Sequence, residues 1–263
     1  MNIVVCIKQI LDPEIHPRDF QVDRTAKMAV QGAAPLVVNP YDENAIEVAL
    51  QTKGRVKDAL VTALTLGGDA SDKALRRALG MGCDEAILLK DPFFEDLDPV
   101  GIAKVLAKGI RKLGNIDLVL CGRQAGDWDM GQVGYLLAEE LSFPCVSAVY
   151  NLEPKNGTLS VNRGIEKGME ILEAKMPFLA IVTNHNSNLP RYPSVKRVTM
   201  AGRKKFPVWS AQDLEITGPL ARLVTVEDLT VPNYDRQVEI IDGDDGPEKG
   251  TKLIQKLLEL KLI

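Results

Sequence analysis

The chain has 263 residues, 45% of them hydrophobic and 26% charged, a balance that supports a packed core under a charged surface and a length suited to one large α/β domain or a domain with an appendage. Its net charge of −4 gives nucleic-acid binding no global electrostatic support. No apolar run approaches the roughly 18 residues of a membrane-spanning helix.

Residues 2–7 form a short β-branched apolar run that predicts a first strand. The run lacks the basic start and small-residue cleavage site of a signal peptide, so a cytoplasmic protein is expected. A polar excursion over 14–31 follows, with Asp12-Pro13 and His16-Pro17 marking loops. Residues 36–38 predict a short strand. Asn39-Pro40-Tyr41-Asp42-Glu43 then reads as a helix start, with a capping Asn, a Pro suited to the first turn and acids that complement the helix dipole. Ile46, Ala49 and Leu50 supply its apolar face. A strand over 59–66 runs into Gly67-Gly68-Asp69, a helix over 71–79 ends at Gly80, a strand covers 86–89, and a helix over 99–113 is closed by Gly114. This alternation indicates a parallel sheet wound by right-handed crossovers.

The next strand, 116–120, feeds a stretch around which the chain is organised. That stretch is Cys121-Gly122-Arg123-Gln124-Ala125-Gly126-Asp127-Trp128-Asp129-Met130-Gly131-Gln132-Val133-Gly134, and a helix over 135–141 leaves it. A Gly-rich turn between a parallel strand and a helix is where such sheets bind ligands, and free N–H groups at a helix start attract phosphate. Asp127 and Asp129 can accept from ribose hydroxyls or cap the helix. The glycines match neither the Rossmann fingerprint nor the P-loop, and Asp127-x-Asp129-x-Gly131 is only a fragment of a calcium loop. By residues alone, a nucleotide site and a plain strand-to-helix turn stand level.

After Pro144 the pattern changes to strands over 146–152, 159–163, 169–174 and 178–183, which read as an antiparallel meander attached to the parallel sheet. Residues 184–193 are polar and proline-bounded, hence a loop. Lys196, Arg197, Arg203, Lys204 and Lys205 make a basic cluster in an acidic chain, either a solvated surface or a patch for an acidic partner. A long irregular stretch precedes a last amphipathic helix over 247–262, apolar at Leu253, Ile254, Leu257, Leu258 and Leu260. Catalytic chemistry has little to work with. Cys6, Cys83, Cys121 and Cys145 are scattered without a metal-binding spacing, and His16 and His185 stand far apart, so no catalytic residue and no metal ligand is expected.

In order along the chain, these pieces resemble the beta subunit of electron transfer flavoproteins. The match is carried by the first strand with Lys8-Gln9, by Asn39-Pro40-Tyr41-Asp42-Glu43-Asn44-Ala45, and by Arg77-Ala78-Leu79-Gly80-Met81-Gly82-Cys83-Asp84. Gly122-Arg123-Gln124-Ala125 through Gln132-Val133-Gly134 is similar to that family's nucleotide loop, and Pro190-Arg191-Tyr192-Pro193-Ser194 with the basic cluster to its partner-recognition segment. The resemblance implies an α/β fold: a Rossmann-like parallel sheet wound by helices, with an antiparallel extension and a C-terminal arm. Residues 1–212 would be a nucleotide-binding domain, with a parallel core over 1–144 and a strand-rich extension over 145–212. Residues 213–263 would be an arm and helix docking on an alpha subunit.

The resemblance further implies a heterodimer that shuttles electrons between flavin dehydrogenases, of acyl-CoA dehydrogenase type, and a downstream acceptor. The redox FAD would be shared with the alpha subunit, and this subunit would hold AMP or a second FAD. Its cofactor-binding residues would be Cys6, Asn39, Asp42, Gly67, Gly122, Arg123, Gln124, Ala125, Asp127, Asp129, Gly131, Gln132, Val133 and Gly134. Partner docking would fall to Pro190, Arg191, Tyr192, Pro193, Ser194, Val195, Arg203, Lys204 and Lys205. The chain departs from the pattern of AMP-type members at Val133, where a Thr hydroxyl commonly stands, and from that of electron-bifurcating members at Tyr135, where a Pro stands. AMP and FAD therefore both stay open. So do two other classes, a nucleotide-using enzyme of adenylyl-transfer type built on Arg123, Asp127 and Asp129, and a structural subunit with an empty crevice. Val195 occupies a position that is often Leu, one methylene longer.

Overall fold

A computed structural model describes residues 1–220, 222–232 and 238–263. The chain divides into two compact units, Met1–Leu229 and Thr230–Ile263. In the first, the strands are β1 (Asn2–Cys6), β2 (Gln9–Leu11), β3 (Gln21–Asp23), β4 (Met28–Val30), β5 (Leu36–Val38), β6 (Leu60–Leu66), β7 (Glu85–Leu89), β8 (Leu118–Gly122), β9 (Cys145–Lys155), β10 (Thr158–Ile165), β11 (Gly168–Ala174), β12 (Phe178–Val182) and β13 (Val208–Trp209). The helices are α1 (Pro40–Arg55), α2 (Asp72–Met81), α3 (Pro99–Leu113), α4 (Val133–Leu141) and α5 (Val195–Arg203).

Local chemistry sets these boundaries. Pro40 sits in the first turn of α1, with Asp42 and Glu43 near its positive end and Lys53 and Arg55 near its negative one. Asp98 caps α3 by accepting from the Gly101 N–H. Helix α2 runs through Gly80 and stops at Gly82, whose φ of 136° closes it to most other residues.

Nine strands form one sheet in the order β11-β10-β9-β12-β8-β1-β6-β7-β13. All neighbours from β9 to β13 run parallel, while β10 is antiparallel to both β9 and β11. The α/β class and the wound parallel sheet are as expected. The fourth strand of the anticipated meander is placed differently, because β12 lies inside the parallel core between β9 and β8. The reason is its run Phe178-Leu179-Ala180-Ile181-Val182, apolar at every position and buried throughout. A strand covered on both faces reads that way, whereas a one-faced meander strand alternates.

Two cores flank the sheet. Ile3 and Val5 of β1 point to one, built with α1 and α2; Val4 and Cys6 point to the other, built with α3 and α4. The polar excursion near the N-terminus contains the β3–β4 hairpin, and β2 pairs with β5. The basic cluster falls largely on α5, a helix the sequence pattern did not show. At the far end of the sheet, β11 is exposed at nearly every position, including Met169 and Ile171. The second unit contains α6 (Gly246–Glu259), capped by Asp245 accepting from the Glu248 N–H, with Leu253, Ile254 and Leu258 exposed.

Candidate functional site

The sheet order reverses at β1. The chain moves outward through β6 and β7, then crosses back through α3 to place β8 on the other side of β1. Such a switch point splays the loops at the strands' carboxyl ends and leaves a crevice. Here a cleft of about 370 Å³ opens above Cys6, Leu66 and Cys121.

One wall is the start of α1. A Cβ on Gly122 would lie 2.3 Å from the Asp42 carboxylate and 2.8 Å from the Tyr41 carbonyl carbon, so glycine is what allows the end of β8 to meet this helix. The Asp42 carboxylate accepts from the Lys8 N–H at 2.8 Å and the Gly122 N–H at 3.1 Å, pinning the two strand ends together. Burial pushes its pKa up to about 7, against the opposing effect of these hydrogen bonds. Asn39 does not cap the helix. Its side chain instead donates to the Gln124 carbonyl at 2.8 Å and accepts from the Gly126 N–H at 3.1 Å, tying down the Gly-rich loop.

Within that loop, Arg123 lies over the Tyr41 ring at 4.6 Å and donates to its hydroxyl at 2.9 Å. Asp127 pairs with the Lys8 ammonium at 2.6 Å, and the Gln124 amide donates to Asp129. Asp129 and Gly131 take φ values of 56° and 61°, which turn the chain into α4. No side chain caps the start of α4, so its first N–H groups remain available to an anion. Gly134 packs this helix onto the sheet: a Cβ there would sit 2.9 Å from Ile181 and 3.6 Å from the Cys121 Cβ.

The opposite wall is apolar, formed by Leu66, Leu97, Ile102 and Leu106. Residues 222–226 close it as a strap. The Asp98 carboxylate accepts from the N–H groups of Leu223 at 2.6 Å and Val224 at 3.1 Å. Further along, Lys27 donates to the Val226 carbonyl at 2.7 Å, and Arg24 pairs with Asp228 at 2.8 Å. The bond from the Gly101 N–H, with those from the strap, holds the Asp98 carboxyl below its usual pKa. Cys6 and Cys121 are register partners on the floor. The Cys121 thiol is driven well above its ordinary pKa by its hydrogen bond with Cys6 and by burial, so it is no nucleophile.

Of the expected cofactor residues, Cys6, Asn39, Asp42, Gly122, Arg123, Gln124, Ala125, Gly131, Gln132, Val133 and Gly134 line this cleft. Gly67, Asp127 and Asp129 do not. Gly67 backs onto Ser71, and the two aspartates engage Lys8 and Gln124. Lys8, Trp128 and Met130, from stretches the sequence had already singled out, also line it, as do Asp98 and Arg222, which lie outside them. Asp98-Pro99, a helix start soon after a strand, was the one available signal; nothing in the sequence pointed to Arg222.

The expected docking residues gather elsewhere. Tyr192 and Val195 are 91% and 85% exposed, and Arg203 and Lys205, at and beyond the far end of α5, are exposed as well. Ser194 caps α5, Pro193 packs against Gly80, and Lys204 turns to Glu85 at 3.0 Å. Arg191 engages Glu47 of α1.

The sequence matches the electron transfer flavoprotein domain family over residues 28–214. It is 38% identical over 249 residues, 93% of each chain, to the electron transfer flavoprotein subunit beta of Thermoanaerobacterium thermosaccharolyticum. The chain belongs to the electron transfer flavoprotein beta-subunit family. This beta subunit is also 33% identical, over the whole of both chains, to the caffeyl-CoA reductase-Etf complex subunit CarD of Acetobacterium woodii. To the electron transfer flavoprotein subunit beta of Bacillus subtilis it is 32% identical over the whole of both chains. Family membership implies an alpha-subunit partner and association with flavin. Among the described residues, no helix is long and apolar enough to cross a membrane, and no three His, Cys, Asp or Glu side chains gather as a metal site.

Proposed function

We propose that this beta subunit pairs with an alpha subunit carrying a redox FAD, and that the heterodimer carries electrons from an acyl-CoA-type flavin dehydrogenase to a downstream acceptor. The FAD supplies the electron-accepting chemistry; this chain supplies a frame and a docking surface, in keeping with the shortage of catalytic groups. Its own cleft holds an adenine nucleotide. The observation that carries this is the uncapped start of α4, set above a switch-point crevice beside Arg123. Phosphate would be held by the first N–H groups of α4, and the base would lie against Leu97, Ile102 and Leu106. The C-terminal helix, with Leu253, Ile254 and Leu258 exposed, is the arm that reaches the alpha subunit.

A cleft of about 370 Å³ lies at the small end of the roughly 300–1,000 Å³ typical of ligand pockets, which favours AMP. Val133 favours a second reading, in which the nucleotide is an FAD that takes part in bifurcating electron transfer, because a valine at the helix start offers no hydroxyl to a mononucleotide phosphate. Quantifying FAD and AMP released from the denatured heterodimer decides between them. One of each supports the simple carrier and two FAD the bifurcating reading. No nucleotide beyond the alpha-subunit FAD would refute the assignment of the cleft.

A further inference from the structure

We infer that Glu47 is a positioning residue for partner docking: from inside α1 it clamps Arg191 and thereby fixes the loop that presents Leu189, Tyr192 and Val195. This rests on the reading of that loop as the docking surface.

Glu47 is only 5% exposed and stands in a helix segment whose other members, Ala45, Ile46, Val48 and Ala49, are buried in the core. A carboxyl group in such a place requires partners. The Gln51 amide, one turn on in the same helix, donates to it at 3.1 Å, and every other bond comes from Arg191 of the loop. Arg191 donates through Nε at 2.7 Å and Nη2 at 2.8 Å in a two-pronged fork, and its backbone N–H lies 3.3 Å away. Asn44 and Gln51, on the same face of the helix, extend the contact. They donate to the carbonyls of Asn188 at 2.9 Å and Ser187 at 2.8 Å. Asn188 is itself fully buried and donates to the Thr183 carbonyl at 2.9 Å.

A polar row of this kind does little for the core, since apolar residues in place of a buried ion pair often serve stability as well or better. What it achieves is geometry. The loop and the start of α5 hold Leu189, Tyr192 and Val195 at 67%, 91% and 85% exposure. Three large apolar side chains held out in water contribute nothing to folding and suit a partner's pockets. Ordering them beforehand removes a cost that the encounter would otherwise carry. Asp42 of α1 and Asn39 just before it stand at the cleft, but both lie N-terminal to the clamp, so nucleotide content serves as an internal control.

The test uses the intact heterodimer with purified acyl-CoA dehydrogenase as electron donor, following flavin reduction against dehydrogenase concentration, together with hydrogen exchange over residues 187–194. Glu47→Gln should raise KM for the dehydrogenase about tenfold, the equivalent of about 1.4 kcal/mol. The kcat and nucleotide content should stay unchanged and the loop amides should exchange faster. Glu47→Met guards against a folding defect, since it leaves no buried carboxylate and Arg191 keeps access to water. It should fold, keep its nucleotide and still show the raised KM. Wild-type KM or wild-type loop exchange in Glu47→Met would overturn the inference. If the wild-type heterodimer took no electrons from the dehydrogenase, the docking reading would fall, and hydrogen exchange would still decide whether Glu47 holds the loop.

Discussion

Replacing Asp42 by Asn should change how stability depends on pH, by an amount set by this one carboxyl. In the folded chain, burial raises its pKa from 3.8 to about 7. Below about pH 4 the group is protonated whether the chain is folded or unfolded. Between about pH 4 and 7 the unfolded chain gives up a proton that the folded chain keeps, so the folded state loses stability as pH rises, by about 1.4 kcal/mol per unit and about 4 kcal/mol in all. Above pH 7 the penalty is constant. Asn carries no such titration. It does exchange one acceptor facing the Lys8 and Gly122 N–H groups for a donor, a cost independent of pH. The difference between variant and wild type should therefore move by about 4 kcal/mol in favour of the variant from about pH 4 to 8. Urea unfolding followed by circular dichroism across that range measures it. Parallel curves for the two proteins would refute the reasoning. The same titration bears on the ligand, because an ionised Asp42 repels a phosphate entering the cleft. Nucleotide retention in the wild type should weaken as pH rises through 7, and Asp42→Asn should remove that dependence.

Gly134→Val should lower both stability and nucleotide content, since even a Cβ would lie 2.9 Å from Ile181. Overpacking of this kind costs about 1–3 kcal/mol, and chemical unfolding with quantified nucleotide release would show both losses, smaller in Gly134→Ala. Lys196, Arg203 and Lys205 changed together to Glu should slow reduction by an acidic partner at low salt and converge with wild type at high salt. Lys204 is left out because it is engaged with Glu85; rates equal at low salt would return the cluster to solvated surface. Asp98→Ala should free the strap over residues 222–226 as well as uncap α3. Exchange of Leu223 and Val224 amides and of bound nucleotide should quicken, with about 1–2 kcal/mol lost from stability; unchanged exchange would show that the strap is held by other contacts.

Much of the parallel core could be read from sequence because its strands are short apolar runs closed by glycine or by proline-led helix starts. The cleft was legible for the same reason: Asn39-Pro40 and Gly122 to Gly134 are local signals that fall at strand ends. The rest was hidden where the deciding contact is distant. Phe178 to Val182 carries the unbroken apolar pattern of a strand covered on both faces, but its place between β9 and β8 is set by distant pairings that no local pattern marks. Helix α5 was masked because only Ala201 in it is buried, so basic residues hide its period. Strands β3 and β4 are three residues each, too short for alternation to register. The strap reaches Asp98 from more than a hundred positions away, and no local pattern marks Arg222. The docking segment reads as a surface, but Arg191 binds inward, and the signal for that was Glu47 set within the apolar run Ala45 to Leu50.

The exposed end of the sheet bears on how the chain behaves by itself. Strand β11 is a seven-residue edge with one row of backbone groups unpaired and with Met169 and Ile171 uncovered. Edges of that length template the addition of a strand from another molecule. Here Glu170 and Glu173 reach across to Arg163 at 3.8 Å and Lys155 at 2.9 Å, setting one charge on each face of the edge strand. These carboxylates act as gatekeepers against self-association. Replacing both glutamates, which neither the cleft nor the docking loop requires, should make a beta chain produced without its alpha subunit self-associate.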